Sequence, residues 1–144
     1  MIEKDNLQLA SELRTVVSRL VKKLKKISTA EGLSLTERST LVLLDQHREL
    51  LPSELAAIEK ITTQSMSQIL NHLLELGYIN RKSSKTDKRK VIISLSKAGQ
   101  NVINKTRSER DEWLSKALAE ACSAKERDML RNLLVPLTRL VDFD

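Results

Sequence analysis

The sequence predicts a mainly α-helical fold with one small β-hairpin. Apolar residues recur at three- and four-residue steps along most of the chain, and three Gly and two Pro supply few interruptions, which is typical of a helical protein. After Gly77 the pattern changes to short runs rich in Ile and Val, which is typical of strands. Aromatic residues make up 2% of the 144 residues, so we expect an aliphatic core in a single domain over residues 1–144.

Six amphipathic segments are predicted to be helices. They cover residues 6–28, 34–47, 51–60, 62–76, 97–121 and 124–141. Gly32 is expected to end the first helix and Gly77 the fourth. Pro52 suits the first turn of the third helix, whereas Pro136 is expected to kink or shorten the last one.

Four of these helices are preceded by a residue that can cap the helix N-terminus. The predicted caps are Ser34, Thr62, Ser96 and Ser123. Glu37 and Glu126 lie three residues after two of these caps, which is the spacing of a capping box. Thr36 is an alternative cap for the second helix.

A basic hairpin follows the fourth helix. The runs "YINRK" and "KVIISL" are predicted strands joined by "SSKTDKR", with Val91, Ile93 and Leu95 on one face. Residues 81–90 hold six cations and one anion, a net charge of 6 − 1 = +5, while the whole chain carries +6. The pI of about 9.6 favours an anionic partner, such as nucleic acid or an anionic membrane surface. A solvated loop is the plainer interpretation of such a charge run.

The third and fourth predicted helices are separated by a tight turn, the spacing of a helix-turn-helix. The fourth helix has two distinct faces. Its apolar face carries Met66, Ile69, Leu70 and Leu73, and its opposite face carries Gln64, Ser67, Gln68 and Asn71. An ordinary solvated face usually carries several Glu and Lys. Uncharged amides and hydroxyls can instead hydrogen-bond base edges, so the second face predicts contact with a DNA major groove.

The hairpin and the helix after it resemble the MarR family of winged helix-turn-helix transcriptional regulators. The family pattern is Asp-x-Arg in the wing, a short strand, and Leu-Thr-x-x-Gly. Here the pattern is Asp87-Lys88-Arg89, then "KVIIS", then Leu95-Ser96-Lys97-Ala98-Gly99, with Ser96 in place of the usual Thr. The resemblance covers essentially the whole chain and is strongest from "LSLTERSTLVLL" to "TDKRKVIISLSKAG".

The resemblance implies a winged helix-turn-helix DNA-binding part at residues 34–96 and a helical dimerisation part at 1–31 and 97–144. It implies that the fourth helix reads DNA and that Arg89 enters the minor groove, where a narrow groove attracts Arg. Asp87 would orient the wing by pairing with Arg89 or, alternatively, would form the turn. Together with the face described above, the candidate DNA-binding residues are Ser53, Thr62, Thr63, Gln64, Ser65, Ser67, Gln68, Asn71, Lys85, Asp87, Lys88, Arg89 and Lys90.

Three positions depart from the family pattern. The wing often opens with Asp-Pro or Asp-Gly, where Ser84-Lys85 stand here. The third helix usually has a Thr or Ser cap, where Leu51 stands, and Leu51 is a poor cap. Gln68 occupies a position that often holds Arg, so adenine is favoured over guanine as the base read there.

The first and last predicted helices carry broad apolar stripes that one monomer would struggle to cover. The resemblance implies a homodimer with these helices interlocked. A dimer would set two recognition helices ~34 Å apart on a pseudo-palindromic operator. The family also implies repression and possible release by a small effector, whose identity the residues do not reveal. Trp113 is expected in core or interface packing, with a ligand-pocket wall as the alternative.

Other functions are less well supported by the sequence. Two isolated histidines, one cysteine and no glycine-rich phosphate loop argue against an enzyme, a metal site and a cofactor. Cys122 is expected to be an inert, partly buried thiol. The chain lacks an apolar run long enough to span a bilayer and begins without a signal-peptide core, so we expect a cytoplasmic protein. The alternatives are a membrane-surface protein, suggested by the basic "RLVKKLKKIS", and an RNA- or protein-binding winged-helix module without operator specificity.

Overall fold

The structure is a computed structural model that describes residues 1–27 and 32–144. It is mainly helical with one small antiparallel sheet, as predicted. In chain order, the elements are α1 (Ile2–Ile27), α2 (Leu35–His47), β1 (Glu49–Leu50), α3 (Pro52–Glu59), α4 (Thr63–Glu75), β2 (Ile79–Ser83), β3 (Val91–Leu95), α5 (Lys97–Ala121) and α6 (Ala124–Val141).

Except at the start of α1, the helix boundaries that the structure describes lie within one residue of the predicted ones. Helix α1 begins at Ile2, four residues before the predicted start, and its predicted end falls on residues 28–31, outside the described residues. Pro136 does not shorten the last helix, because α6 continues past it to Val141; the kink stays a prediction. A proline in a helix removes one backbone donor, and the leucine-rich sequence on either side of Pro136 favours the helix strongly enough to continue.

All four predicted N-caps are confirmed. The hydroxyl of Ser34 accepts the N–H of Glu37 at 3.1 Å, and a carboxylate oxygen of Glu37 accepts the N–H of Ser34 at 3.0 Å, so Ser34 rather than Thr36 caps α2. Ser123 and Glu126 form the same reciprocal box at α6. Thr62 caps α4 and Ser96 caps α5 through single hydrogen bonds.

The sheet has three strands in the order β1-β3-β2, with both pairs antiparallel. The hairpin of β2 and β3 was predicted, and its register places Ile79 opposite Leu95 and Ser83 opposite Val91. Strand β1 was not predicted. It consists of Glu49 and Leu50 and pairs with the other edge of β3. Two residues are too short to show a periodicity, so β1 exists only through this pairing.

The core lies where α2, α3, α4, the sheet and the first turns of α5 meet. Its buried apolar residues are Leu41, Leu44, Leu50, Leu55, Ala56, Met66, Leu70, Leu73, Ile79, Ile93 and Ile103. Ile93 is buried and Val91 and Leu95 pack partly buried beside it, as the alternation predicted. We call α2, α3, α4 and the three strands the central lobe, and α1 and α6 the flanking helices.

Helix α5 connects the central lobe to α1. Trp113, midway along α5, is half-buried, and the Lys23 ammonium of α1 lies 5.5 Å from its ring centroid. This distance is within the range of a cation–π contact. Trp113 therefore packs α5 against α1, which agrees with its predicted packing role.

Candidate nucleic-acid interface

The two faces of α4 are arranged as the sequence predicted. Met66, Leu70 and Leu73 are buried in the core and Ile69 is partly buried. The opposite face is exposed along its whole length and presents Gln64, Ser67, Gln68 and Asn71. Burial of one face thus orients the helix so that amides and hydroxyls, rather than charges, point outward.

The turn that connects α3 to α4 is tight. Lys60 ends α3 with a left-handed backbone (φ 56°), and the N–H of Ile61 donates to the carbonyl of Ala56 at 3.0 Å. Thr62 follows directly as the cap of α4, so two residues separate the last helical residue of α3 from this cap. Lys60 is exposed at this turn, beside the N-terminus of α4. Sequence reasoning did not select Lys60, although a cation in a helix-turn-helix turn was a signal that could have found it.

The N-terminus of α4 is organised by two of the candidate residues. Thr62 accepts the N–H of Ser65 at 3.0 Å, and the Thr62 hydroxyl donates to the Ser65 hydroxyl oxygen at 2.9 Å. Thr63 is exposed between them. At α3, Leu51 makes no side-chain cap, as its apolar side chain required, and its N–H donates to a Glu54 carboxylate oxygen at 2.9 Å. Ser53 is exposed in the first turn of α3.

The wing loop is closed by Ser84, the residue that departs from the family pattern. Ser84 is buried, and its hydroxyl oxygen accepts the backbone N–H groups of Thr86 at 3.3 Å and Asp87 at 3.4 Å. Its own N–H donates to the carbonyl of Lys90 at 2.8 Å. Asp at the start of a turn offers a side-chain acceptor to following N–H groups, and Ser can do the same. Ser84 therefore supplies the turn-forming contact that an Asp would provide.

Asp87 and Arg89 form the tip of the wing. A carboxylate oxygen of Asp87 accepts the N–H of Arg89 at 3.0 Å and lies 3.7 Å from its Nε. Both roles considered for Asp87, turn formation and pairing with Arg89, are therefore present. The Arg89 side chain is 96% exposed, so an ion pair there contributes little to stability. Lys85, Lys88 and Lys90 are exposed around it.

The Leu95–Gly99 segment joins the wing to α5. The Ser96 hydroxyl accepts the N–H of Gly99 at 3.0 Å and donates to the carbonyl of Gly77 at 2.5 Å. The N–H of Ser96 donates to the carbonyl of Tyr78 at 3.1 Å. A Cβ at Gly99 would lie 2.0 Å from that same carbonyl oxygen, a distance that no side chain can adopt. Packing therefore explains the residue types at Ser96 and Gly99 in this segment, which joins the end of α4 to the start of α5.

A contact between the side chains of Glu37 and His72 joins α2 to α4. Glu37 is buried, and its second carboxylate oxygen contacts Nδ1 of His72 on α4. Burial acts to raise the pKa of Glu37, but the hydrogen bonds from the Ser34 backbone and from His72 outweigh it, so the pKa lies below its ordinary value. The two residues are 35 positions apart, and sequence reasoning did not connect them.

The described residues contain no group of three or more His, Cys, Asp or Glu side chains that could hold a metal ion. None of the helices in the described ranges combines the length and apolarity that crossing a bilayer requires. Cys122 is a free, half-buried thiol at the C-terminal end of α5.

A helix-turn-helix followed by a basic hairpin that closes a three-stranded sheet defines a winged helix-turn-helix protein, a class of DNA-binding proteins. The chain belongs to the MarR family. The MarR family profile matches residues 31–90. An HTH-type transcriptional regulator of Mycobacterium tuberculosis is 32% identical over 135 residues, which cover 94% of each chain.

Solved structures share the fold. A transcriptional regulator protein from Pseudomonas aeruginosa is 30% identical, with a TM-score of 0.84 over 96% of this chain and 98% of that one. A mutant of MepR from S. aureus, bound to an oligodeoxyribonucleotide, has a TM-score of 0.71 at 18% identity, over 92% of this chain and 97% of that one. The protein is therefore a DNA-binding transcriptional regulator with the fold of this family.

Proposed function

We propose that the protein is a repressor that binds a pseudo-palindromic operator as a homodimer in the cytoplasm. The observation that carries this proposal is the exposed, uncharged face of α4 beside an exposed cationic wing. Residues 34–96 form the DNA-binding part, and residues 1–31 and 97–144 form the dimerisation part. The MepR mutant, which shares this fold, was solved bound to an oligodeoxyribonucleotide, and this supports DNA as the partner.

In the proposed complex, α4 lies in the major groove and reads bases through amides. Gln64, Gln68 and Asn71 are exposed on one face, and Gln and Asn can bond bidentately to adenine. The N-terminus of α4 faces the backbone, where Thr63 and the capping hydroxyls meet phosphate, and Ser53 does the same at α3. The wing reaches the adjacent minor groove with Arg89, while its lysines contact phosphates.

The proposed dimer accounts for the exposed apolar surface of the flanking helices. Neither α1 nor α6 has a buried residue within the described chain. Large apolar side chains nevertheless lie exposed along both, including Val16, Val17, Leu20, Val21, Met129, Leu130, Leu133, Leu134 and Leu140. Exposed apolar stripes along helices favour an interface, and a second copy of the chain would supply matching helices to bury them.

A cavity of about 200 Å³ between α2 and α5 is the proposed effector site. Leu41, Val42, Val102 and Ile103 form its apolar lining, and three arginines, Arg38, Arg107 and Arg110, form the rest with Thr106. Burial, and to a lesser extent the charge of Arg38, lower the pKa of Arg110. A cavity of about 150 Å³ can accept benzene. The site therefore suits a small, single-ring anion.

The test uses duplexes selected by the protein from a random library at low salt. We expect an enriched pseudo-palindrome that binds far more tightly than random duplex, with affinity that falls steeply as salt increases. Arg89→Ala should weaken binding to all sequences and reduce the salt slope by about 1. Lys125→Ala, which removes an exposed cation from α6, is the control and should leave the slope unchanged.

Base reading is tested on the same selected duplexes. Gln68→Ala should change the preference at one base position by roughly 1–3 kcal/mol. An unchanged preference would remove Gln68 from the reading face. Absence of duplex binding by the unmodified protein at low salt would overturn the proposed function. Increased expression of a reporter behind the selected site, on adding the protein, would contradict repression.

A further inference from the structure

We propose that the ion pair between Asp45 and Arg107 is a positioning contact that sets the angle at which α5 leaves the central lobe. It thereby sets the distance between the two recognition helices. The inference rests on the proposed dimer, and it adds to that function the contact that fixes the dimer's spacing. Nothing in the MarR sequence pattern described above marks either residue.

Helix α5 links the central lobe to α1. Its first turns are fixed to the lobe, because Gly99 packs against the Tyr78 carbonyl and Ile103 is buried. Its middle packs against α1 through Trp113 and Lys23. Arg107 lies between these attachments, one turn beyond Ile103, where α5 changes from one set of neighbours to the other. A contact at Arg107 can therefore control the direction of α5 relative to the central lobe, although it belongs to neither attachment.

The ion pair is short and joins elements far apart in sequence. Nη2 of Arg107 lies 2.7 Å from a carboxylate oxygen of Asp45, across 62 residues. The Asp45 side chain is 20% exposed and that of Arg107 is 51% exposed. The hydrogen bond from Arg107 is the largest cause that lowers the pKa of Asp45 below its ordinary value. Asp45 is thus held to α5 by a charge-assisted hydrogen bond, which restrains the tilt of that helix against α2.

Apolar packing does not fix this angle by itself. The cavity of about 200 Å³ lies between α2 and α5 at this level, and Arg107 lines it. Protein interiors usually contain few voids larger than a water molecule, so a void beside a helix leaves it room to pivot. The charge-assisted contact between Asp45 and Arg107 spans the two helices that the void separates, and it limits the pivot.

A small change of angle is amplified along α5. Ala121 lies 14 positions beyond Arg107, which is ~21 Å at the helical rise of about 1.5 Å per residue. A tilt of about 10° would move the far end by ~3.7 Å, about the rise of one base pair, ~3.4 Å. Asp45 also lies in the last turn of α2, just before β1, whose Leu50 pairs with Ile93 in the wing sheet. The contact therefore acts on the whole lobe rather than on one side chain.

The experiment measures how affinity depends on the spacer, which is the number of base pairs between the two half-sites. The selected duplex is compared with duplexes that carry one base pair more or fewer between the half-sites. We expect the unmodified protein to lose about tenfold or more in affinity for either change, since bivalent binding is lost when geometry forbids both contacts. Asp45→Asn and Arg107→Gln should bind all three duplexes within about threefold of each other, because a loosened α5 tolerates several spacings.

A charge swap and a control complete the design. The double variant Asp45→Arg with Arg107→Asp should restore the spacer preference. Lys105→Gln removes an exposed cation of the same helix that pairs within α5, and it should leave the preference unchanged. Dimer mass and melting temperature are measured for every variant, because a merely structural role would move these and not the spacer profile.

Three outcomes contradict the proposal in distinguishable ways. If the unmodified protein binds no duplex, the proposed function fails and this inference falls with it. If the unmodified protein binds but ignores the spacer, the fixed-spacing claim is wrong while DNA binding stands. If Asp45→Asn and Arg107→Gln form dimers and keep the original spacer profile, the ion pair has no positioning role.

Discussion

The central lobe and the flanking helices use similar amphipathic sequences in different ways. All eleven buried apolar residues of the described core lie between Leu41 and Ile103, whereas α1 and α6 have none. Helix α4 buries its apolar face within its own chain, while α6 leaves Leu133 and Leu134 about half exposed or more. An amphipathic pattern shows that one face of a helix is suited to burial. It does not show whether the same chain or another molecule buries that face.

The difference has an energetic reason. Each large aliphatic side chain that is fully buried contributes about 1.5–3 kcal/mol relative to exposure. The central lobe gains this from its own residues, so we expect it to fold without help. The flanking helices gain it only when another surface covers them, and we expect their order to depend on dimerisation.

The largest expected effect comes from a polar substitution on α6. Leu133→Asn should convert the proposed dimer to monomer and lower affinity for the selected duplex by about a hundredfold or more, because bivalent binding is lost. Sedimentation and DNA titration measure the two effects. Ile58→Asn is the matched control for oligomeric state, since Ile58 lies in the central lobe and is 47% exposed against 49% for Leu133.

The same variant sharpens the comparison between the two regions. Hydrogen exchange in Leu133→Asn should accelerate in α1 and α6 while the core strands and α4 remain protected. Uniform acceleration across the chain would show that the lobe also depends on the partner.

An intermediate effect is expected at Gly99, where the lobe meets α5. Gly99→Ala should destabilise the protein by about 1–3 kcal/mol. The added Cβ would overlap the backbone carbonyl of Tyr78, and backbone atoms cannot shift aside as the end of a flexible side chain could. The strain at Gly77→Ala has a different origin, namely a positive φ of 78° in open space. Urea unfolding compares the two. Equal stability of Gly99→Ala and the unmodified protein would contradict the contact with Tyr78.

The smallest effect is expected from the Glu37 carboxylate inside the lobe. Because its pKa is lowered in the folded state from an ordinary value of 4.5, its stabilisation is present above that value and is lost as pH falls through the folded pKa. Glu37→Gln should therefore flatten the loss of stability below about pH 4.5.

His72→Gln separates the two sources of this effect, since it keeps the Ser34 hydrogen bond and removes the ring. Unfolding free energies measured between pH 3 and 6 should place it between the other two proteins. Parallel curves for all three would show that the pair adds no pH dependence.

The sequence predicted the hairpin and the exposed, uncharged face of α4 well, for a local reason. Each cap acts over three residues, so Ser34 and Thr62 could be identified from their neighbours, and the alternation at Val91 to Leu95 was visible within one strand. The turn at Lys60 was predicted but not its left-handed backbone, because Lys is not typical of that conformation. Of the two effects expected of Pro136, the shortening of α6 does not occur, because one missing donor does not end a leucine-rich helix.

The sequence by itself determined the order of helices, their caps, the charge of the wing and the uncharged face of α4, because these properties depend on residues within a few positions of each other. Tertiary structure decided the rest. Strand β1 exists by pairing with β3, and the contacts of Glu37 with His72 and of Asp45 with Arg107 span 35 and 62 residues. Such contacts depend on how the elements pack in three dimensions, and no local pattern records which residues that packing brings together.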